Sequence, residues 1–380
     1  MPAPVRILHL HSSFDLGGKE ARSVRLMAAW GDRARHVIVS GVPDALGARD
    51  TIPAGVLYEI AQDPPPLTGR PSVARYERIA RFMRRFDLVL TYNWGAIDGV
   101  MARRTFARGA PPVVHHEDGF NADEAGGLKQ QRNIYRRIAL PAAFALAVPS
   151  QTLERLALDT WKQPRDRVHR IVNGIATARY ASPVTGAIPG LERREGEVVI
   201  GALAGLRAVK DLPMLVRAVG GLAGRVRLVI VGEGPERAGV AAAAAAMGMA
   251  DTLLMPGFLP APHRYVGLFD LLASSSLSEQ FPISVVEAMA AGLPIAATSV
   301  GDVPAMVAPE NAPYLIPAHN EVFLRDALAA LVAQPALRAQ IGDANRRRAV
   351  AEYDEALMIA RYRALYEAAL GRPNALLVPS

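Results

Sequence analysis

Short apolar runs alternate with helical periodicities along most of this chain. Val5-Arg6-Ile7-Leu8-His9-Leu10 ends in a Ser-Ser/Gly-Gly turn, and a helical pattern follows from Glu20 to Trp30, which together predict a strand–loop–helix unit. Further strands are predicted at His36–Ser40, Gly55–Ile60, Leu88–Thr91, Pro112–His115 and Ala145–Pro149, with helices at Val73–Phe86 and Lys129–Leu140. The stretch 183–197, rich in Pro, Gly and charge, reads as a linker, after which the pattern restarts. Strands are then expected at Val198–Ala204, Val226–Gly232, Leu253–Pro256, Leu271–Ser274 and Pro294–Thr298, and helices at Leu212–Leu222, Arg237–Met247 and Ile283–Ala291. Buried strands alternating with helices predict parallel α/β sheets. The expected architecture is α/β with two Rossmann-like doubly wound domains, 1–182 and 198–354, facing across a cleft that takes ligand at the carboxyl ends of the strands. A last helix, Glu355–Leu370 within 355–380, carries apolar positions at Met358, Tyr362, Leu365, Tyr366 and Leu370 and is expected to pack back on the first domain.

Length supports this division, because 380 residues exceed the size at which a single core stops growing. The absence of cysteine excludes disulfides, thiolate metal sites and thiol nucleophiles. Met1–Ser13 lacks the apolar core of a secretory leader, and Ala139–Val148 is interrupted by Pro141 and too short to span a bilayer. A cytoplasmic protein is the expectation. Charge is uneven: residues 1–185 hold 26 Lys+Arg against 17 Asp+Glu, whereas residues 186–380 hold 17 against 19. A basic first half fits an anionic partner, or only an arginine-rich surface. The basic helices around Arg75–Arg85 and Lys129–Arg137 could rest on an anionic membrane surface where a lipid-linked acceptor would be found, or be ordinary solvated faces. Nucleic acid is not expected, since neither aromatic interleaving nor a known binding module accompanies the charge.

The densest candidate chemistry lies between Glu279 and Gly292. An apolar run, Leu271–Ala273, turns polar at Ser274-Ser275-Ser276, and Pro282 then opens a helix that Gly292-Leu293-Pro294 stops. Unpaired N–H groups at such a helix start can hold a diphosphate. Glu279 in the loop and Glu287 inside the helix could bind sugar and ribose hydroxyls. Spacing alone leaves a plainer reading open, in which Glu279 complements the helix dipole and Glu287 is a surface charge.

The run Glu279-Gln280-Phe281-Pro282-Ile283-Ser284-Val285-Val286-Glu287 closely resembles the E-x7-E signature of retaining glycosyltransferases of family 4, which have the GT-B fold. Leu228–Pro235 with its Gly-Glu-Gly-Pro turn, Met255–Leu259, Val300–Pro304, Asn173-Gly174-Ile175 and Gly17-Gly18-Lys19-Glu20 resemble further family segments in the usual order. The resemblance implies that Glu279 contacts the donor sugar, that the backbone of Phe281, Pro282 and Ile283 cradles sugar and phosphate, and that Glu287 binds the ribose diol. Lys210 matches the lysine that neutralises the departing diphosphate, a fixed cation in place of a metal. Gly17 and Gly18 would allow close backbone approach to the donor. The chemistry implied is transfer from a nucleotide diphosphate sugar, UDP among the candidate carriers, to a sugar or lipid-linked hydroxyl acceptor, with no cofactor and no metal. The setting implied is bacterial surface polysaccharide or lipid-linked oligosaccharide assembly.

Two positions depart from the family pattern. Gly205 holds the slot of an arginine, and Arg207, two residues on, is the candidate replacement. Asp118 stands where the family places a histidine near the reacting sugar, and the neighbouring His115 and His116 are candidates for the acceptor side. These departures motivate the competing reading, a non-catalytic GT-B subunit that binds a nucleotide sugar or a partner enzyme.

Overall fold

In this computed structural model residues 3–119 and 128–378 are described, so Phe120, which closes the Pro112–Phe120 segment, lies outside them. The chain divides into two compact units, Met1–Val172 with Met358–Ser380, and Asn173–Leu357. Each unit has a sheet of its own.

The first unit carries seven strands: β1 (Val5–His11), β2 (Ala34–Ser40), β3 (Tyr58–Ile60), β4 (Leu88–Tyr92), β5 (Val113–His116), β6 (Ala145–Val148) and β7 (Val168–Arg170). All pair in parallel, in the order β3-β2-β1-β4-β5-β6-β7. Its helices are α1 (Gly18–Trp30), α2 (Val73–Met83), α3 (Ile97–Thr105), α4 (Gln130–Ala139) and α5 (Gln151–Arg155). Alternation along the strands divides the core. Leu8, Leu10, Val89 and Val113 face Ile79 of α2, Val100 of α3 and Ala139 of α4. Ile7, Leu90 and Val114 face Leu26 and Trp30 of α1 and the terminal helix at Met358, Tyr362 and Tyr366. Strands covered on both faces read as apolar runs, which is why the pattern reveals them.

The second unit carries β8 (Val198–Leu203), β9 (Val226–Val231), β10 (Leu253–Gly257), β11 (Leu271–Ser274), β12 (Ile295–Thr298) and β13 (Leu315–Ile316) in the order β10-β9-β8-β11-β12-β13, again all parallel. Helices α6 (Leu212–Gly220), α7 (Arg237–Ala246), α8 (Ile283–Ala290), α9 (Val303–Met306), α10 (Glu321–Ala333) and α11 (Pro335–Glu352) belong to it, and α12 (Glu355–Leu370) follows. The core joins Ile200, Leu228 and Leu271 to Leu215 and Val216 of α6 and Leu324 and Leu328 of α10.

The boundary corrects one expectation. Residues 183–197 do not run between the units but lie within the second. Ile188 is buried, and the Val184 N–H donates to the Arg264 carbonyl at 2.7 Å. Proline and glycine mark turns, and turns anchored by one apolar side chain look like a linker in sequence. The units part instead between Val172 and Asn173. Just beyond, the Asn-Gly-Ile turn is pinned by Ile175, whose amide donates to the Tyr353 carbonyl. A Cβ on Gly174 would stand 2.8 Å from the Asp354 carbonyl oxygen, so only glycine fits this crossing.

Candidate functional site

In an open parallel sheet, ligands bind beyond the carboxyl ends of the strands where the strand order reverses. In the second unit that point lies between β8 and β11. Lys210 follows β8 and Glu279 follows β11, and the Lys210 ammonium donates to the Glu279 carboxylate. Ser276 Oγ also donates to Glu279 Oε1, at 2.7 Å, and Ser275 Oγ holds the Lys210 carbonyl at 2.8 Å. The loop carrying Glu279 is fixed from behind, because the Asp302 N–H donates to the Gln280 carbonyl. Lys210, Ser276, Glu279 and Ser284 border a cavity of about 10 Å³, too small for a phosphate.

Helix α8 begins at Ile283 behind an extended Pro282, and no side chain caps its N-terminus. Phe281 is buried with its ring edge-on to Tyr353 at 5.7 Å, so the turn into the helix is anchored by packing. Glu287 lies on the same helix, and Tyr180 Oη donates to its Oε1 at 2.9 Å. The Tyr180 hydroxyl thus helps to orient this carboxylate.

The glycine-rich turn after β9 explains its own composition. Gly232 has φ 146°, and a Cβ there would lie 1.9 Å from the Ala204 carbonyl oxygen. This turn presses the 204–206 loop, whose Leu206 amide donates to the Glu233 carbonyl. The Arg207 side chain, on that loop, is exposed and makes no hydrogen bond or ion pair with another described residue. Its Nε lies 3.6 Å from where a Gly205 Cβ would stand, so its side chain starts over the position of the absent one.

In the first unit the strand order reverses between β1 and β4. Gly17 caps α1 beyond β1, and Gly18 is the helix's first residue. Buried Glu20 meets the Lys19 ammonium, and Arg22 grips Asp118 beyond β5. Arg22 Nη2 donates to Asp118 Oδ2 at 2.8 Å, and the Asp118 N–H donates to Asn93 Oδ1 at 2.7 Å. Burial alone would lower the affinity of Arg22 for its proton, but the Asp118 charge outweighs it and the guanidinium is held ionised. Burial lowers the Lys19 pKa to about 8, with Arg22 pushing the same way and Asp118 and Asp15 opposing. The cluster is balanced, each cation facing a carboxylate.

His115 and His116, the candidates for the acceptor side, are both drawn into the core. Both are fully buried. His115 Nδ1 and Thr91 Oγ1 share a hydrogen bond at 2.7 Å, and His116 Nε2 meets Tyr366 Oη at 2.8 Å. His9, His11, His36 and Tyr92 extend this polar layer: His9 bonds His36 at 2.9 Å and Tyr92 at 3.1 Å, and the His11 ring stacks on Tyr92 at 4.0 Å. Burial holds His9, His11 and His116 well below the usual histidine range and His36 at about 3, so all four are neutral.

Arg22, Asn93, Tyr180 and Ser276 escaped the sequence reading. Arg22 and Asp118 are 96 positions apart, and Tyr180 and Glu287 are 107 apart. No local pattern joins such pairs. The run Ser274-Ser275-Ser276 was the one available signal. Among the described residues no group of His, Asp and Glu is placed to hold a metal ion, and no helix is long and apolar enough to cross a membrane.

Two doubly wound parallel sheets, one in each unit, are the fold of the GT-B glycosyltransferases. Residues 7–179 match Glycosyltransferase Family 4 and residues 187–348 match Glycosyl transferases group 1. The chain belongs to glycosyltransferase family 4. Among curated relatives, it is 38% identical over 113 residues to the 2-deoxystreptamine glucosyltransferase of Streptomyces kanamyceticus, covering 28% of this chain and 29% of that protein. It is 27% identical over 271 residues to the D-inositol 3-phosphate glycosyltransferase of Nocardia farcinica, covering 65% and 59%. The chain thus spans less than two thirds of the length of these relatives. Among solved structures, Anabaena HepE in complex with UDP-glucose superposes with a TM-score of 0.78 at 19% identity, covering 96% of this chain and 100% of that one. Sucrose-phosphate synthase from Thermosynechococcus elongatus gives 0.76 at 20% identity, covering 96% and 99%.

Proposed function

We propose that this protein is a retaining, metal-independent hexosyltransferase that moves a sugar from a nucleoside diphosphate sugar to a hydroxyl acceptor. The observation that carries this reading is the Lys210–Glu279 pair at the switch point of the second sheet, in front of the start of α8. On this reading the diphosphate takes Lys210 from Glu279 and lies against the first N–H groups of α8, which frees Glu279 for the sugar hydroxyls. Phe281, Pro282 and Ile283 supply backbone to sugar and phosphate, Glu287 binds the ribose diol, and Arg207 adds the second cation. As the bond from the sugar's anomeric carbon to the diphosphate oxygen breaks, the acceptor oxygen bonds that carbon on the same face, and its proton passes to the departing diphosphate. No enzymic nucleophile is required. Gly17 and Gly18 are assigned to donor binding and Asp118 to catalysis, with Asp118 oriented by Arg22. UDP-sugars are the first donors to try, since a structural neighbour was solved with UDP-glucose. The setting proposed is surface polysaccharide or lipid-linked oligosaccharide assembly in a bacterium, on the cytoplasmic face of the membrane.

The test is a thermal-shift screen across nucleotide sugars with and without EDTA, followed by NMR of the product's anomeric proton. Stabilisation that survives EDTA, and a product with the donor's anomeric configuration, are expected. An inverted product sinks the retaining assignment. Binding without turnover on any acceptor would instead favour the non-catalytic subunit.

A further inference from the structure

Strand β7 is one edge of the first sheet, pairing with β6 alone, and a groove of about 1030 Å³ runs along it. Arg167–Ile171 line one side, Arg361, Ala364 and Ala368 of α12 the other, and exposed Phe144 one end. The alanines on the helix side leave the groove wide. It is separated from the switch point of this sheet by β4, β5 and β6, so it is no part of the site described above.

The backbone of the edge shows what kind of ligand it suits. The Ile171 N–H donates to the Val148 carbonyl at 2.9 Å, so Ile171 and His169 face β6. Side alternates along a strand, so the Arg170 N–H and the Val168 carbonyl point into the groove, while the Val168 N–H is taken by the Arg165 carbonyl. That donor and acceptor, flanking His169, are spaced for the N–H and C=O of one residue of an incoming parallel strand.

The charge narrows the partner further. Arg103, Arg167, Arg170 and Arg361 line the groove against two carboxylates, Glu154 and Asp166. Arg103 and Arg167 are held by backbone, donating to the carbonyls of Ala142 and Pro141, each at 2.7 Å. The Arg361 side chain makes no hydrogen bond or ion pair with another described residue. Such an edge repels a second copy of itself, and an outward amide paired with a carbonyl suits an extended backbone better than a lipid headgroup.

We propose that this groove binds an extended acidic segment of another protein, which adds to β7 as a parallel strand and places carboxylates against Arg361 and Arg170. The test pans a phage-displayed random peptide library against the full chain, then measures synthetic selected peptides by fluorescence anisotropy. Selected sequences are expected to be acidic. Arg170→Pro, which removes the one outward amide donor and a charge while leaving the β6 ladder intact, should weaken them about tenfold. Arg361→Glu reads the helix side independently should the first variant fold poorly, and it should weaken binding at least as much. Both variants should keep the donor-dependent thermal shift of the wild type. Failure to select peptides, selection without acidic enrichment, or unchanged affinity in the folded variants overturns the proposal. Binding to phosphatidylglycerol vesicles that Arg361→Glu abolishes, with peptides unaffected, overturns it in favour of a membrane contact.

Discussion

Arg22 holds both carboxylate oxygens of Asp118 at the carboxyl end of β5, with its own side chain 3% exposed. The sequence offers Asp118 as an open acceptor of hydrogen bonds; the fold commits it to a buried guanidinium. Breaking such a pair leaves a charge without compensation, which costs about 3–5 kcal/mol. Asp118→Ala should therefore lower the unfolding free energy from urea titration by an amount in that range, and Asp118→Asn by less. A change within about 1 kcal/mol would show the pair to be dispensable for stability.

The Lys210–Glu279 ion pair separates binding from turnover. Lys210→Ala removes the cation facing the developing diphosphate charge and should lower kcat about a hundredfold, the usual size for one preorganised electrostatic partner. Glu287→Ala should instead raise the donor KM about tenfold, through loss of a charged hydrogen bond to the ribose. Steady-state kinetics across donor concentrations reads both. Wild-type turnover in both variants would remove these residues from the site.

On the proposed reading, Tyr180 acts on the nucleotide through Glu287. Tyr180→Phe keeps the buried ring and removes the hydroxyl that donates at 2.9 Å. A few-fold loss of donor affinity is expected, with kcat unchanged, because a carboxylate that has lost an orienting hydrogen bond costs more to order on binding. Calorimetry would show it, and an equal loss in a Glu287→Ala background would refute the coupling.

Arg207 and Gly205 offer a rescue experiment. Arg207→Ala should weaken nucleotide sugar binding about tenfold if its guanidinium meets the diphosphate. A Cβ at Gly205 would have Arg207 Nε at 3.6 Å as its nearest neighbour, so a side chain can start there. Gly205→Arg in the Arg207→Ala background should restore affinity. Rescue failing while Arg207→Ala remains impaired would mean that Arg207 acts by another route.

The buried histidine layer predicts acid sensitivity of the first unit. Burial lowers the pKa of His9, His11, His36 and His116, so below about 6.5 the unfolded chain binds protons that the folded one refuses. Their stabilising contribution is complete above that value and falls as pH drops toward the folded pKa, about 3 for His36. Each contributes a slope of about 1.4 kcal/mol per pH unit inside this window. Unfolding free energy measured from pH 7 to 4.5 should drop steeply, and His36→Phe should reduce the slope by one histidine's share. An unchanged slope in that variant would contradict the neutral assignment.

Much of the fold was legible because strands buried on both faces are written as contiguous apolar runs. Leu271–Ser274 and Glu355–Leu370 have the same bounds in pattern and structure. Strand β7 was missed, since Val168-His169-Arg170 is short, charged and at an edge, with no apolar signature to find. Helix α11 was missed as well; Pro335–Glu352 is mostly polar, and its apolar positions follow no clear period.

Sequence by itself determined the local devices: the proline and free amides that open α8, Glu279 and Glu287 around them, and the glycines at 232 and 234 where backbone crosses backbone. These depend on residue type at short range, where chain geometry dictates who meets whom. Only the tertiary structure decided that Arg22 belongs to Asp118 and Tyr180 to Glu287, that His115 and His116 are core, and that 183–197 is part of a unit. The reason is physical. Pairing of buried charges and desolvation of histidines depend on which distant strands and helices close around them, and no spacing along the chain encodes that enclosure.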